Sequence, residues 1–346
     1  MTNRLALIPI FVWAGRYNKQ TFASDMIAAL IVAIMLIPQS LAYAMLAGLP
    51  AEVGLYASIT PLVAYAVLGT SSTLSVGPVA ITSLMTATAL AEIAQQGTAD
   101  YLTAAITLAA LSGFMLLGFG LFRLGFLANF LSHTVVSAFI TASAIIIALS
   151  QVSHLFGTKS EGDNVFELLS SLSVGLQNAN GYTLLLGFGV LAFLYLVRKQ
   201  GVDTLVKVGV SRVNSQLIAK AAPVVGVLLT IAITYQFGLE EQGVAVVGSI
   251  PSGLPQATMP SFSLELVDML LLPAALISII GYVESISVGR TLGAQKRERV
   301  NSNQELVGLG AANLASAFSG AFPVTGGFSR SVVNFDAGAQ TQASSI

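Results

Sequence analysis

The sequence predicts an all-α polytopic membrane protein whose two halves repeat, each carrying one helix that starts late after a short strand. Three observations predict it. The first is composition: 55% of the 346 residues are hydrophobic and 9% are charged, with a mean hydropathy of +0.81. An ordinary globular domain carries about 25% charged residues, so 15 basic and 16 acidic side chains cannot cover a water-soluble protein of this size. The second is a series of apolar runs near the roughly 20 residues that a crossing helix needs. The third is a break, from extended stretch into apolar run, that occurs twice with the same spacing.

The same composition narrows the chemistry. With no cysteine in the sequence, disulfides, thiolate zinc sites, iron–sulfur clusters and cysteine nucleophiles are excluded. The only histidines, His133 and His154, have no serine or acid partner at a fixed spacing, and neither H-E-x-x-H nor G-x-S-x-G occurs. No enzyme activity, metal or cofactor is expected. A net charge of −1 and a pI near 6.1 leave no basic face for nucleic acid. The expected surroundings are the lipid bilayer.

Ten runs bounded by charge, Gly or Pro are expected to cross: 26–46, 51–69, 77–94, 101–122, 126–152, 181–197, 217–238, 266–289, 304–320 and 327–345, the last polar and incomplete. Ser24 and Asp25 are the expected N-caps of the first, which lies too deep in the chain and is too long for a cleaved signal peptide. Residues 165–177 form an amphipathic stretch expected at the interface. Short-loop Lys and Arg stay on the cytoplasmic side. With residues 1–25 inside, Arg4, Arg16, Lys19, Arg123, Arg198, Lys199, Lys207, Arg212, Lys220, Arg290, Lys296, Arg297 and Arg299 all fall there, and only Lys159 and Arg330 do not. Asp100, Glu161, Asp163, Glu240 and Glu241 fall outside, so the expected location is a cell membrane, multi-pass, with the N-terminus cytoplasmic.

Two breaks define the repeat. Ser72-Thr73-Leu74-Ser75-Val76 precedes Gly77-Pro78 and an apolar run, and Pro323 sits similarly in Ala321-Phe322-Pro323-Val324-Thr325-Gly326-Gly327. Proline suits a first helical turn, so both sites are expected as strand followed by half-helix, tolerated at depth only where protein or a water-filled cavity satisfies the backbone. A shift of 245 carries Gln39 onto Glu284, Ser40 onto Ser285, Pro78 onto Pro323 and Val79 onto Val324. An odd number of helices, seven, separates the copies, which inverts the second. Inverted repeats with discontinuous helices are a transporter architecture.

Half-helix N-termini present unpaired N–H groups and partial positive charge, which suit an anion. Arg330, in the first turns of the second half-helix, either faces that anion, pairs with an acid such as Asp336, or lies at an interface. Glu284 either couples anion movement to a proton or snorkels toward Arg290, about six residues or ~9 Å away. Gln39, Ser285 and Ser287 either donate to the same ligand or join helices. A sodium site would draw on oxygens near Glu284, with Ser287 and Thr325 as candidates.

Leu36-Ile37-Pro38-Gln39-Ser40-Leu41-Ala42-Tyr43-Ala44, then Ala47-Gly48-Leu49-Pro50, Gly54-Leu55-Tyr56, Gly69-Thr70-Ser71 and Leu74-Ser75-Val76-Gly77-Pro78-Val79-Ala80 resemble the sulfate permease (SulP) family of anion transporters. Glu284-Ser285-Ile286-Ser287-Val288-Gly289-Arg290, Asn301-Ser302-Asn303-Gln304-Glu305-Leu306 and Gly326-Gly327-Phe328-Ser329-Arg330-Ser331 continue the resemblance in order. It implies an inverted fold of seven plus seven helices split into core and gate, with the anion between the third and tenth. Carried over, the substrate site comprises Gln39, Tyr43, Gly77, Pro78, Val79, Ala80, Gly327, Phe328, Ser329 and Arg330, with Glu284, Ser287 and Thr325 as ion-coupling residues. Ser72 stands where the family usually has a basic residue, and Val53 where it often has an aromatic one.

The expected organisation is a cytoplasmic segment (1–25), a core of 26–122 and 266–346, a gate of 126–238 and an external loop of 239–265. Truncation is expected after about the tenth helix, with four helices and the STAS domain absent. The expected function is secondary active, proton-coupled transport of an inorganic anion, sulfate first, with sodium-coupled bicarbonate transport as the alternative. A homodimer is the expected assembly of the full-length form. A passive channel, a scaffold and an intramembrane hydrolase are the competing classes.

Overall fold

The computed structural model describes residues 8–15, 17–129, 138, 141–142, 145, 148–149, 152–158, 165–220, 222–246 and 253–346. Most of the span expected over 126–152 lies outside these residues, as do Arg4, Arg16, His133, Lys159, Glu161 and Asp163. The chain divides into two compact units, Met1–Ser137 with Ile250–Ile346, and Ala138–Ser249.

In chain order the first unit begins with α1 (Ile10–Ala14), α2 (Lys19–Leu46), α3 (Ala51–Tyr56), α4 (Thr60–Leu68), β1 (Val76–Gly77), α5 (Ala80–Ala91) and α6 (Ala99–Leu121). The second holds α7 (Val165–Gly175), α8 (Gly181–Leu196), α9 (Val202–Lys207), α10 (Arg212–Lys220) and α11 (Ala222–Phe237). The first resumes with α12 (Leu264–Lys296), α13 (Ser302–Phe318), β2 (Thr325–Gly326) and α14 (Phe328–Asp336). Among the described residues, Lys19–Leu46, Ala51–Leu68, Ala99–Leu121, Gly181–Lys207 and Leu264–Lys296 are long and apolar enough to cross a membrane.

Several boundaries depart from expectation: the run over 327–345 is α-helical only over Phe328–Asp336, and that over 217–238 is shared between α10 and α11. Hydropathy places the start of α2 near Met26, but Asn18 Oδ1 accepts the N–H groups of Gln20 and Thr21, each at 2.9 Å, and so starts the helix earlier. Ser24 and Asp25 are not the caps. Asp25 is instead buried, its carboxylate accepting the N–H of Gln340 at 2.6 Å, that of Thr341 at 3.2 Å and the Thr341 hydroxyl. The run over 51–69 is two helices, because the chain turns at 57–59 and restarts with Pro61 in the first turn of α4, where a missing N–H is harmless.

The two strands pair antiparallel, Val76 with Gly326 and Gly77 with Thr325. An antiparallel ladder has its two-fold axes through facing residues, and the one through Val76 and Gly326 exchanges those two, a shift of 250. A shift of 245 fits the helix starts, Lys19 and Leu264, but four more residues intervene before the second strand. Pro78 and Pro323 are therefore not equivalent: Pro78 follows β1, whereas Pro323 precedes β2. Neither lies in a first helical turn, since α5 begins at Ala80 and α14 at Phe328.

Glycines bring α6 and α13 into backbone contact. A Cβ on Gly310 would sit 2.8 Å from the Leu117 nitrogen and 3.0 Å from the Gly113 oxygen, and one on Gly113 would sit 2.9 Å from the Leu314 nitrogen. Glu305, fully buried on α13, then ties this pair to α4 and its following loop. Its carboxylate accepts the Tyr65 hydroxyl at 2.6 Å, the N–H of Thr70 at 2.7 Å and of Ser71 at 3.2 Å, and the Thr70 hydroxyl. Gln304 Nε2 donates to Leu68 O at 2.8 Å, and Asn303 Oδ1 accepts Gly125 N–H at 2.8 Å.

Stability, read as the midpoint of thermal unfolding in detergent, tests this packing. Gly310→Ala must push α6 from α13 and is expected to cost about 1–3 kcal/mol, whereas Gly118→Ala, with open space at its Cβ, should be neutral or slightly stabilising. Glu305→Ala leaves buried donors unsatisfied and should cost on the order of 3 kcal/mol. A midpoint unchanged in Gly310→Ala or Glu305→Ala contradicts the packing described.

Candidate functional site

The polar centre of the first unit lies where β1 and β2 hand over to their half-helices. Gly327 N–H extends the ladder to Ser75 O at 3.0 Å. Pro78, which follows β1, has no N–H to donate. Asn313 of α13 satisfies the residue before β2: its Nδ2 donates to Val324 O at 2.8 Å and its Oδ1 accepts Val324 N–H at 3.0 Å. Ser331 holds the other side, its hydroxyl donating to Gly327 O at 2.6 Å and accepting Ser75 N–H at 3.0 Å.

Both half-helix N-termini are left without a side-chain cap. The N-cap positions are Val79 and Gly327, and neither supplies a capping hydrogen bond. By contrast α2, α6, α8, α12 and α13 are each capped by an Asn, Thr or Ser side chain. The first-turn N–H groups of α5 and α14, like those of α3 and α4, are left without a side-chain acceptor and can receive an anion.

Arg330 is 2% exposed, and its Nη2 donates to Pro78 O, across the strand pair, at 2.8 Å. Two glycines make room for it. A Cβ on Gly77 would come within 2.8 Å of Nη1, and one on Gly327 within 3.1 Å of Nε and Nη2. Nη1 is buried with no hydrogen-bond partner, and so is Oε2 of Glu284. Among the described residues the ion pair is Lys296–Glu298, at 3.3 Å, so Arg330 pairs with neither Asp336, which is exposed, nor Glu284. Arg330, Glu284 and Tyr43 nonetheless lie within electrostatic reach of one another.

The remaining sequence-derived residues fall around this centre unequally. Gln39 and Tyr43 are half-buried, four residues apart and hence on one face of α2, which packs against both α14 and α5. Gly77 and Pro78 are buried, while Val79 and Ala80 are half-buried. Phe328 and Ser329 are exposed at the start of α14. Ser285 joins helix to strand: its hydroxyl bonds to Gly281 O at 2.7 Å, to Thr325 Oγ1 at 2.7 Å and to Gly326 N–H at 2.9 Å. Thr325 is buried and also bonds to Gly281 O at 2.7 Å, whereas Ser287 is exposed.

Asn313, Ser331 and Glu305 carried no site role in the sequence reading. Asn313 alone had a usable signal, as the one amide inside the otherwise small and apolar run from Leu306 to Phe318.

Comparison with known proteins agrees with this architecture. A profile of the Sulfate permease family matches residues 22–346. Sulfate transporter 4.1, chloroplastic, of Arabidopsis thaliana is 36% identical over 98% of this chain and 48% of its own length. A probable sulfate transporter of Mycobacterium tuberculosis is 35% identical over 98% of this chain and 58% of its own. Among solved structures, the murine Slc26a9 anion transporter in the inward-facing state superposes with a TM-score of 0.87 at 25% identity, over 98% of this chain and 57% of that one. The transmembrane domain of the cyanobacterial bicarbonate transporter BicA gives 0.79 at 23% identity, over 95% and 80%, a likeness of fold. The chain spans about half the length of the curated relatives it matches. With the family model matched over residues 22–346, the chain belongs to the sulfate permease family.

Proposed function

We propose that this chain carries the anion site of a proton-coupled secondary active transporter whose substrate is sulfate. One observation carries the reading: a buried arginine donor, Arg330 Nη1, stands unpartnered between two half-helix N-termini that lack side-chain caps. Fixed N–H dipoles and a guanidinium in a dry site recognise a tetrahedral oxyanion without reorganising. The names of the relatives support sulfate.

In this reading Gln39 and Tyr43 flank the anion, and Gly77, Pro78, Val79 and Ala80 with Gly327, Phe328, Ser329 and Arg330 form the two N-terminal walls. Glu284 is the proton carrier. Its Oε2 is buried and unpartnered, while the two oxygens that would complete a sodium site are apart, Thr325 bonded to Ser285 and Gly281 and Ser287 exposed. The core (26–122 and 266–346) moves against a gate (126–238), with residues 1–25 on the cytoplasmic side of the cell membrane and the full-length protein a homodimer. The second reading, sodium-coupled bicarbonate transport, is favoured by the fold likeness to BicA.

Labelled sulfate and bicarbonate uptake into proteoliposomes, with imposed proton or sodium gradients, decides between them. Sulfate uptake is expected to follow the proton gradient. Arg330→Ala should lower it ten- to hundredfold, the equivalent of a charge-assisted hydrogen bond at about 1.5–3 kcal/mol. Glu284→Gln should abolish the response to the proton gradient while sulfate still binds. Sodium-driven bicarbonate uptake establishes the second reading, and uptake indifferent to either gradient is the mark of a channel.

Gly77→Ala gives an independent check on the arginine. Its Cβ would lie 2.8 Å from Nη1, so sulfate affinity should fall about tenfold, a shift of about 1.4 kcal/mol, with the protein still folded. Unchanged affinity places the anion elsewhere.

A further inference from the structure

The second unit holds a groove that the transport reading does not use. About 400 Å³ in volume, it is walled by Phe193, Leu196, Val197, Leu205, Ile218 and Val225, with Gln200, Gly201 and Thr204 completing the lining. These residues come from the end of α8, a π-helical stretch at Val197–Gly201, α9, α10 and α11. A π turn widens the backbone ring by one residue and rotates the next helical segment about the axis, so α8 and α9 do not continue one regular apolar face, and the groove opens beside the irregular turn.

The charge around this apolar wall is one-sided. Residues 197–220 carry Arg198, Lys199, Lys207, Arg212 and Lys220 against the single acid Asp203. Arg198, Lys199, Lys207 and Arg212 are exposed, and none takes part in the ion pair found among the described residues. Arg198 and Lys199 belong to the π stretch itself, between the groove-lining Val197 and Gln200. Lys199 Nζ lies 5.6 Å over the ring of the exposed Tyr195, the kind of aromatic that settles at a membrane interface. Arg212 heads the amphipathic helix α10, whose Ile218 lines the groove. An apolar wall bordered by cations that have no carboxylate partner among the described residues is complementary to a ligand with an apolar chain and an anionic head.

We propose that this groove is a binding site for one anionic phospholipid, its acyl chain lying along Phe193, Val197, Leu205 and Ile218 and its phosphate held by Arg198 and Lys199. Phosphate takes a bidentate hydrogen bond from an arginine and a point charge from a lysine, and clustered basic residues at a membrane surface select anionic lipids. Ordinary annular lipid contacts an apolar face without regard to headgroup. Headgroup selection distinguishes this site from such contacts.

Native mass spectrometry of the purified protein, loaded with phosphatidylglycerol or with phosphatidylcholine of the same acyl chains, tests it. Phosphatidylglycerol should be retained at least about tenfold more tightly, and R198Q/K199Q should bring the two lipids within about twofold while leaving the helical content by circular dichroism unchanged. Thr204→Trp, which fills the groove, should weaken retention of phosphatidylglycerol in an otherwise intact protein. Inorganic phosphate at the same concentration should not displace the lipid. Equal retention of the two lipids, selectivity untouched in R198Q/K199Q, or a dimer converted to monomer by Thr204→Trp with lipid retention unchanged would each overturn the proposal, the last by showing a second copy in the groove.

Discussion

Backbone N–H and C=O groups inside a helical bundle must find partners, because neither lipid nor an apolar core supplies them. The four-residue pair of β1 and β2 is where this chain meets that constraint, and the geometry of the site derives from how it does so. The two short strands satisfy each other in antiparallel register, and that register places a two-fold axis through the facing Val76 and Gly326. Each strand runs directly into a half-helix. The axis therefore brings two uncapped helix N-termini to one centre without any side chain directing them there. The ladder does not continue past Pro78, which has no N–H. Asn313 satisfies Val324 from outside the pair, and Pro78 O becomes the acceptor that holds Arg330.

That centre is braced both by close backbone contacts and by buried polar side chains. The α6–α13 interface is closed by Gly113 and Gly310, so the helices cannot slide without collision. Asn313 projects from the same α13, Glu305 locks α13 to the loop leading into β1, and Asp25 ties the start of α2 to the turn after α14. Strands, half-helices and the helix bearing Tyr43 are thus connected through three buried polar anchors to one block. A movement of this block carries the whole site with it.

Much of this was legible in the sequence for physical reasons that also explain what was not. Gly77-Pro78 and the run from Ala321 to Gly327 betrayed the half-helices because extended, proline-bearing stretches interrupt apolar periodicity. Equal spacing of the two prolines from Gln39 and Glu284 suggested a shift of 245, but proline marks only an absent donor, and strand register is a property of hydrogen bonds that no single residue announces. Asp25 and Glu305 were misjudged or passed over for a common reason. A carboxylate near the end of an apolar run has the same composition whether it caps, faces water or is buried among backbone donors from distant segments. Ser285 had two open roles in the sequence, and its three hydrogen bonds to Gly281, Thr325 and Gly326 consume its capacity in joining α12 to β2. Ser72, standing where the family usually has a basic residue, accepts the Lys296 ammonium at 2.8 Å, so a cation reaches the same place from α12.

Charge counting shows why a site of this construction would separate sulfate from bicarbonate. Two helix N-termini contribute roughly half a positive charge each, and Arg330 contributes one more. With Glu284 ionised the site is near a net charge of about +1, and with Glu284 protonated near about +2. A bicarbonate monoanion balances the first state and a sulfate dianion the second. On the proposed reading, entry of sulfate would be accompanied by a proton on Glu284, whereas bicarbonate would need none. The unbonded arrangement of Arg330 and Glu284 is what permits both states, since a direct ion pair would fix the carboxylate in its charged form and leave the arginine donor unavailable to either anion.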